Sequence, residues 1–363
     1  MTEENSTASQ NITDNGQTAS AAFFDPRQLI FIVQLYFKYA VLVIGIFGTA
    51  ANALLLYALF AHNAHEKKKR VINLLIINQN VLDLFSCLAL TISVGIEVNN
   101  IYLEGSLGYF ICTIFINGTA THIAMTGSVI NLVAVTIERY LKVVHAIWSK
   151  THLKRWMIYS AMAFVWIGGI AHSAPVSFLT SRLQNGLCHA FIESKESQWI
   201  FGGFNVSVLF FFPLLIFIYC YWRIVVVIRR QMRVMAGHNV EGSSQMTASQ
   251  AQSKRVKWNI IKTMIIVTVA FVVCWFPMNI YVLILTVSAK TTTLAVGYYP
   301  TIFLVYLNIC MNPFIYALKH EGVKHQLTRL MVCRKPRDIG DTSGSNSNRA
   351  GGTQHARNRV AHN

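Results

Sequence analysis

Asp83 lies within a predominantly apolar stretch, in Asn80-Val81-Leu82-Asp83-Leu84-Phe85. A carboxylate there can hold a small cation or accept several hydrogen bonds, and on insertion scales it costs ~2.5–3.5 kcal/mol to place in hydrocarbon. Asn52, Ser128, Asn131, Asn308 and Asn312 stand at comparable depth in apolar stretches of their own. They can gather around Asp83 as a hydrated cluster that binds an ion and couples helix movements, or as a hydrogen-bonded packing cluster without one. A second acid and base are adjacent in Thr136-Ile137-Glu138-Arg139-Tyr140. These can neutralise each other, or Arg139 can extend its stem to reach water. No His, Cys or acid spacing supplies a nucleophile–base pair or a metal cluster, so enzymatic chemistry is not expected.

The elements that position such residues must satisfy their own backbones. Hydrophobic residues make up 53% of the chain and charged ones 13%, against about a quarter charged in a soluble domain. The apolar residues form seven blocks, 30–61, 71–97, 109–144, 156–179, 200–229, 259–287 and 298–318. Each is long enough to cross a hydrocarbon core of ~30 Å as a helix, and in lipid only a helix pairs every backbone group within its own segment. The predicted fold is all-α: a seven-transmembrane helix bundle, helices 1 to 7 in chain order. A short amphipathic membrane-surface helix is expected after helix 7, at 319–333, where Val323, Leu327, Leu330 and Met331 recur at helical spacing. Residues 1–29 read as a disordered extracellular tail without a cleaved leader, 30–333 as the helical domain, and 334–363 as a disordered cytoplasmic tail.

A net charge of +16 raises nucleic acid as a partner, but its placement argues for topology instead. Lys and Arg concentrate in 62–70, 141–155, 230–258 and 319–363, whereas the opposite side holds only Arg27, Arg182, Lys195 and Lys290. The positive-inside rule then puts the N-terminus outside and the C-terminus in the cytoplasm, the basic side facing anionic inner-leaflet lipid. Of seven cysteines, only Cys112 and Cys188 fall on the outer side, where a disulfide can persist. It would tie the top of helix 3 to the loop after helix 4. Asn5 and Asn11 open glycosylation sequons on the outer tail; Asn117 and Asn205 match the pattern inside helices and are set aside. Cys333 is either a palmitoylation site or a free thiol. The basic edges of the loop between helices 5 and 6 are expected to extend both helices into water.

Helices 5, 6 and 7 carry Pro213, Pro277 and Pro313, each of which removes a backbone hydrogen bond and bends its helix. Taken in order, the signatures resemble the rhodopsin-like (class A) G protein-coupled receptors over residues 30 to 333. They are Gly48 to Asn52, the family's helix 2 Leu-x-x-x-Asp pattern taken to end at Asp83, Glu138-Arg139-Tyr140, Trp166 with Pro175, and Pro213 with Tyr221. Phe271 to Pro277 and Leu307-Asn308 with Asn312-Pro313-Phe314-Ile315-Tyr316 complete the series. The resemblance implies a multi-pass plasma-membrane receptor that binds an extracellular ligand and activates a heterotrimeric G protein, with kinase and arrestin acting on a phosphorylated tail. In such a receptor Phe271, Trp275 and Pro277 form the helix 6 pivot. Glu138, Arg139, Tyr140, Tyr221, Asn312, Pro313 and Tyr316 form the coupling switch, and Asp83, Ser128 and Asn308 a sodium site, the one candidate cofactor.

Several departures stand out. Cys112 is two residues further from Arg139 than the family pattern, so the top of helix 3 is expected to hold an extra partial turn. The usual Trp before Cys112 is missing, and Ala146 replaces a common Pro. Lys257 stands where some relatives place an acid, which implies a weaker inactive-state lock and basal activity.

Helix 3 has no acid before Glu138, which disfavours a monoamine, and Tyr306 replaces the retinal-bearing lysine of opsins. Thr121, His122, Glu97, Asn279, Tyr281, Tyr298 and Tyr306 are the candidate ligand contacts. Polar groups among aromatics suit a peptide, with a lipid or small neutral metabolite as the alternative. A transporter or a non-signalling decoy receptor is the rival from another class. Lys38 is expected to extend to the surface, with a ligand contact as the other reading. Ligand-free signalling at the level of an empty vector would refute the expected basal activity.

Overall fold

The structure, a computed structural model, describes residues 26–65, 74–190, 195–238, 248–287 and 295–319. The sequons at Asn5 and Asn11, residues 320–333 of the expected surface helix with Cys333, Lys257's side chain and the cytoplasmic tail lie outside them.

Among the described residues, seven long helices follow the seven apolar blocks. Helix 1 is Pro26–His65, helix 2 Leu74–Val98, helix 3 Gly105–Val144 and helix 4 Arg155–Thr180. Helix 5 runs from Lys195–Val206 through a π-turn, Ser207–Phe211, into Phe212–His238; helix 6 is Ala248–Val287 and helix 7 Ala295–Lys319. The first six are long and apolar enough to cross a membrane. Helix 7 dilutes its apolar run with Tyr298, Tyr299, Pro300, Asn308, Asn312 and Pro313. Helices 5 and 6 extend beyond their apolar blocks, as their basic edges predicted. Helix 6 starts as early as Ala248, so part of the stretch read as linker is helical.

Helix 3 is the axis of the bundle. Its segment from Thr119 packs against helices 2, 4, 5 and 6, and 67% of its most apolar window is buried, against 11% for helix 1. Small residues let the helices close: a side chain at Gly169 would meet the Ile123 carbonyl at 2.5 Å, and one at Gly48 would collide with Cys87 and Cys310. Large apolar side chains such as Phe31, Val43, Phe164, Ile167 and Leu215 cover the outer surface. In water they would form a far larger apolar patch than a soluble monomer tolerates; in a bilayer they meet lipid.

The extra residues of helix 3 have a definite place. Gly105–Ile111 leads into a π-turn, Cys112–Ile116. Asn117 then donates its N–H five residues back to Cys112 and Gly118 donates three back to Phe115, before the regular pattern resumes with His122 to Gly118. Gly118 takes φ +70°, a conformation that costs a side-chain-bearing residue ~1–2 kcal/mol. The Thr119 hydroxyl donates to the Thr113 carbonyl across the break, at 2.5 Å. The expected partial turn is thus a π-turn followed by a break.

A hairpin missed by the hydropathy reading follows helix 4, pairing Ser181–Gln184 with Leu187–Ala190. Asn185 and Gly186 both have positive φ, as a two-residue hairpin turn requires. Cys188 on its second strand is disulfide-bonded to Cys112, as expected. The Asn117 amide donates to the Ser181 hydroxyl at 2.6 Å, so the hairpin and the break are fixed together.

Gly118→Ala is expected to lower stability by about 1–2 kcal/mol in thermal unfolding of the purified protein, because its cost is backbone strain. Gly95→Ala, where a side chain meets nothing within 4 Å, should be neutral or slightly stabilising. Equal effects at the two positions would refute strain at Gly118.

Candidate functional site

Three cavities adjoin at the disulfide end of the bundle. The first, about 420 Å³, lies among helices 1, 2, 3 and 7, and Glu97, Thr121, His122, Tyr298 and Tyr306 line it. The second, about 390 Å³, lies among helices 3, 4, 5, 6 and 7, with Asn279 on its wall and Trp275 among its deeper residues. His122 lines both. The third, about 310 Å³, lies under the hairpin and shares Lys38, Glu97 and Ile116 with the first. Six of the seven predicted contacts therefore line cavity walls. Tyr281 does not; it packs its ring 5.9 Å from that of Tyr298, in a row with Tyr299 and Phe37.

Lys38 does not reach out alone: it pairs with Glu97 at 3.0 Å. With side chains 39% and 30% exposed, that pair is worth ~1 kcal/mol or less. Among the described residues lining the first and third cavities, these two opposite charges offset each other. Among the described residues, those lining the second cavity include no acid. His172, stacked on Phe204 with centroids 5.7 Å apart, has both ring nitrogens without a hydrogen-bond partner among the described residues. The Trp275 indole N–H also lacks one. The sequence reading missed the helix 5 wall, including Asn205, which it met only as a discarded sequon.

The pivot residues form one aromatic stack. Trp275 packs on Phe271 at 5.5 Å, and Phe271, only 1% exposed, packs on Phe217 at 5.9 Å and Phe210 at 6.4 Å. Pro277 lies inside helix 6 one residue beyond Phe276. One turn before Phe271, the Thr268 hydroxyl shares a 3.1 Å hydrogen bond with the hydroxyl of Tyr221, which also meets Thr136 at 3.3 Å. Tyr221 thus bridges helices 3, 5 and 6 through two threonines that carry no family signature.

At the far end Glu138 and Arg139 are both buried, and Arg139 Nε lies 3.6 Å from Glu138 Oε2. Lys142, one turn on, pairs with the same carboxylate. The two readings of the triplet resolve in favour of pairing rather than extension to water. Tyr140 turns away, its hydroxyl 3.3 Å from His145 Nε2. Pro313 is buried, whereas the side chain of Tyr316 lies outside the described residues.

Between the two ends runs a polar chain. Trp166 Nε1 donates to Asn78 Oδ1 (3.1 Å), Asn78 to Asn131 Oδ1 (2.9 Å), and Asn131 to Gln79 Oε1 (2.8 Å). Gln79 donates to Asp83 Oδ1 (3.4 Å) and to Ser128 Oγ; Ser128 donates to Asp83 Oδ1 (3.0 Å) and Asn312 to Asp83 Oδ2 (2.5 Å). Of the residues expected to gather around Asp83, Ser128, Asn131 and Asn312 do so. Asn52 instead donates to the carbonyls of Gly48 and Ile309, and Asn308 is not among Asp83's partners. The helix 2 pattern is also altered: four residues before Asp83, where the Leu-x-x-x-Asp pattern has leucine, stands Gln79.

Comparison with known proteins fits this geometry. The family described as 7 transmembrane receptor (rhodopsin family) matches residues 51–316. Among relatives, rat somatostatin receptor type 5 is 28% identical over 79% of this chain and 75% of its own. The bovine protein of that name is 25% identical over 89% and 82%. Melanopsin-A of Gadus morhua is 25% identical over 80% of this chain, which spans only 51% of that longer protein. With seven helices in place and most of the chain matched, this multi-pass membrane protein belongs to the rhodopsin family of seven-transmembrane receptors.

Proposed function

We propose that the chain is a G protein-coupled receptor for an extracellular peptide, its disulfide end outside the cell and its Arg139 end in the cytoplasm. The observation that carries the reading is the series of contacts and single helical turns that leads from cavity to switch. Trp275 on the cavity wall touches Phe271, and one turn further Tyr221 ties helix 6 to helix 3 just before Arg139. A ligand that moves Trp275 shifts the balance between two packings of helix 6, and a G protein that prefers the open packing shifts it the same way. The basic bias of one side supports the orientation.

For the ligand, the three adjoining cavities form an elongated cleft from the hairpin to helix 6, which suits an extended chain better than a compact amine. The deep cavity has no acid to pair an ammonium, and the somatostatin receptors among the relatives weigh the same way. The likeness to a melanopsin does not carry light sensing with it, since Tyr306 has no amine for a Schiff base.

Nucleotide exchange on a panel of G proteins, in membranes containing this chain with and without peptide pools, tests the reading. Exchange that depends on the chain and falls to background in Arg139→Ala is the expected outcome. Absence of exchange with every G protein, despite surface expression, would point to a decoy receptor instead. Thr268→Ala removes one anchor of Tyr221 and should raise ligand-free exchange about threefold, the effect of one interhelical hydrogen bond of ~0.6 kcal/mol in a membrane. Unchanged or lower exchange would show that the hydroxyl bridge does not restrain helix 6.

A further inference from the structure

Gln79 is placed one helical turn before Asp83, so the two side chains share a face of helix 2. Both are buried, at 4% and 0% exposure. The direction of the Gln79 amide follows from its neighbours. The Leu75 carbonyl can only accept, so the nitrogen of Asn131 faces it at 2.9 Å, and that nitrogen also donates to Gln79 Oε1 at 2.8 Å. The Gln79 nitrogen is thereby turned the other way, onto Asp83 Oδ1 and Ser128 Oγ.

Those two oxygens are the ligands that the family's sodium site would draw from these residues, and they do not fit a cation here. Ser128 gives its proton to Asp83 while accepting from Gln79, and Asn312 takes the second carboxylate oxygen. An ion approaching Asp83 Oδ1 would meet the positive end of an N–H dipole. Nor can the amide simply rotate aside, because its oxygen accepts from Asn131, which is itself fixed by a hydrogen bond from Asn78, and Asn78 by one from Trp166. We propose that Gln79 takes the place of the cation: the donor that neighbours Asp83 is built into helix 2, and the cluster is indifferent to sodium. The balance between receptor packings is then set by the amide chain rather than by the ionic composition outside the cell.

The test is thermal unfolding of the purified full-length chain in sodium chloride and in choline chloride at equal ionic strength. It needs neither ligand nor G protein, so its result stands apart from the functional reading above. Wild type should unfold at the same temperature in both salts. Gln79→Leu should gain about 5 °C in sodium, as expected for a ligand well above its dissociation constant. Adding Asp83→Asn to that variant should abolish the gain. Gln79→Met, which keeps the length and loses the amide, replaces the leucine variant if that one does not fold. A sodium-specific shift in wild type that disappears in Asp83→Asn overturns the proposal. So does a folded Gln79→Leu or Gln79→Met that remains indifferent to sodium.

Discussion

A carboxylate in the middle of a hydrocarbon slab has no water to turn to, so the helices around it must supply its partners. Asp83 draws donors from helices 2, 3 and 7, and the chain behind Gln79 reaches helix 4 through Asn131, Asn78 and Trp166. Each interhelical hydrogen bond in a membrane is worth ~0.6 kcal/mol, so the links together contribute a few kcal/mol. Leaving a buried charged group without partners costs more than any one of them contributes. The network therefore acts chiefly as a register: helices 2, 3, 4 and 7 slide past one another only by orphaning a polar group.

With that half of the bundle fixed, helices 5 and 6 are held differently. The Phe210, Phe217, Phe271 and Trp275 rings pack without directional bonds, and the hydroxyls of Tyr221, Thr136 and Thr268 give only neutral hydrogen bonds. Aromatic packing tolerates sliding better than a hydrogen-bonded chain does. The mobile part of a receptor is expected on this side, and Pro277 removes a backbone bond where helix 6 must bend. The π-turn Ser207–Phe211, just before Pro213, likewise loosens helix 5 on its cavity-facing stretch.

The cavity end is shaped by the break in helix 3. Two additional residues in a regular helix would rotate everything beyond them by roughly half a turn. The π-turn and the left-handed Gly118 absorb the excess above His122, so the helix below keeps its alignment with helices 2, 4 and 5. The disulfide and the Asn117–Ser181 bond then hold the altered top against the hairpin. The departure in spacing changes the cleft without disturbing the polar network beneath it.

The helices were legible because their cause is one-dimensional: a run of apolar residues must pair its own backbone in lipid, and its length counts the crossings. The disulfide was legible because compartment and topology left only Cys112 and Cys188, and the hairpin turn was written in Asn185-Gly186, a local signal that the hydropathy reading passed over. What the sequence by itself could not determine was which polar residues meet. Asn52, Asn308 and Asn312 look alike along the chain, yet of these Asn312 is the one that donates to Asp83, and Lys38, partly exposed, also pairs with Glu97. Gln79 looked like one more polar residue on helix 2 until Asn131 fixed which way its amide points. Hydrogen bonds between helices depend on rotation and depth, which only the packing of all seven decides.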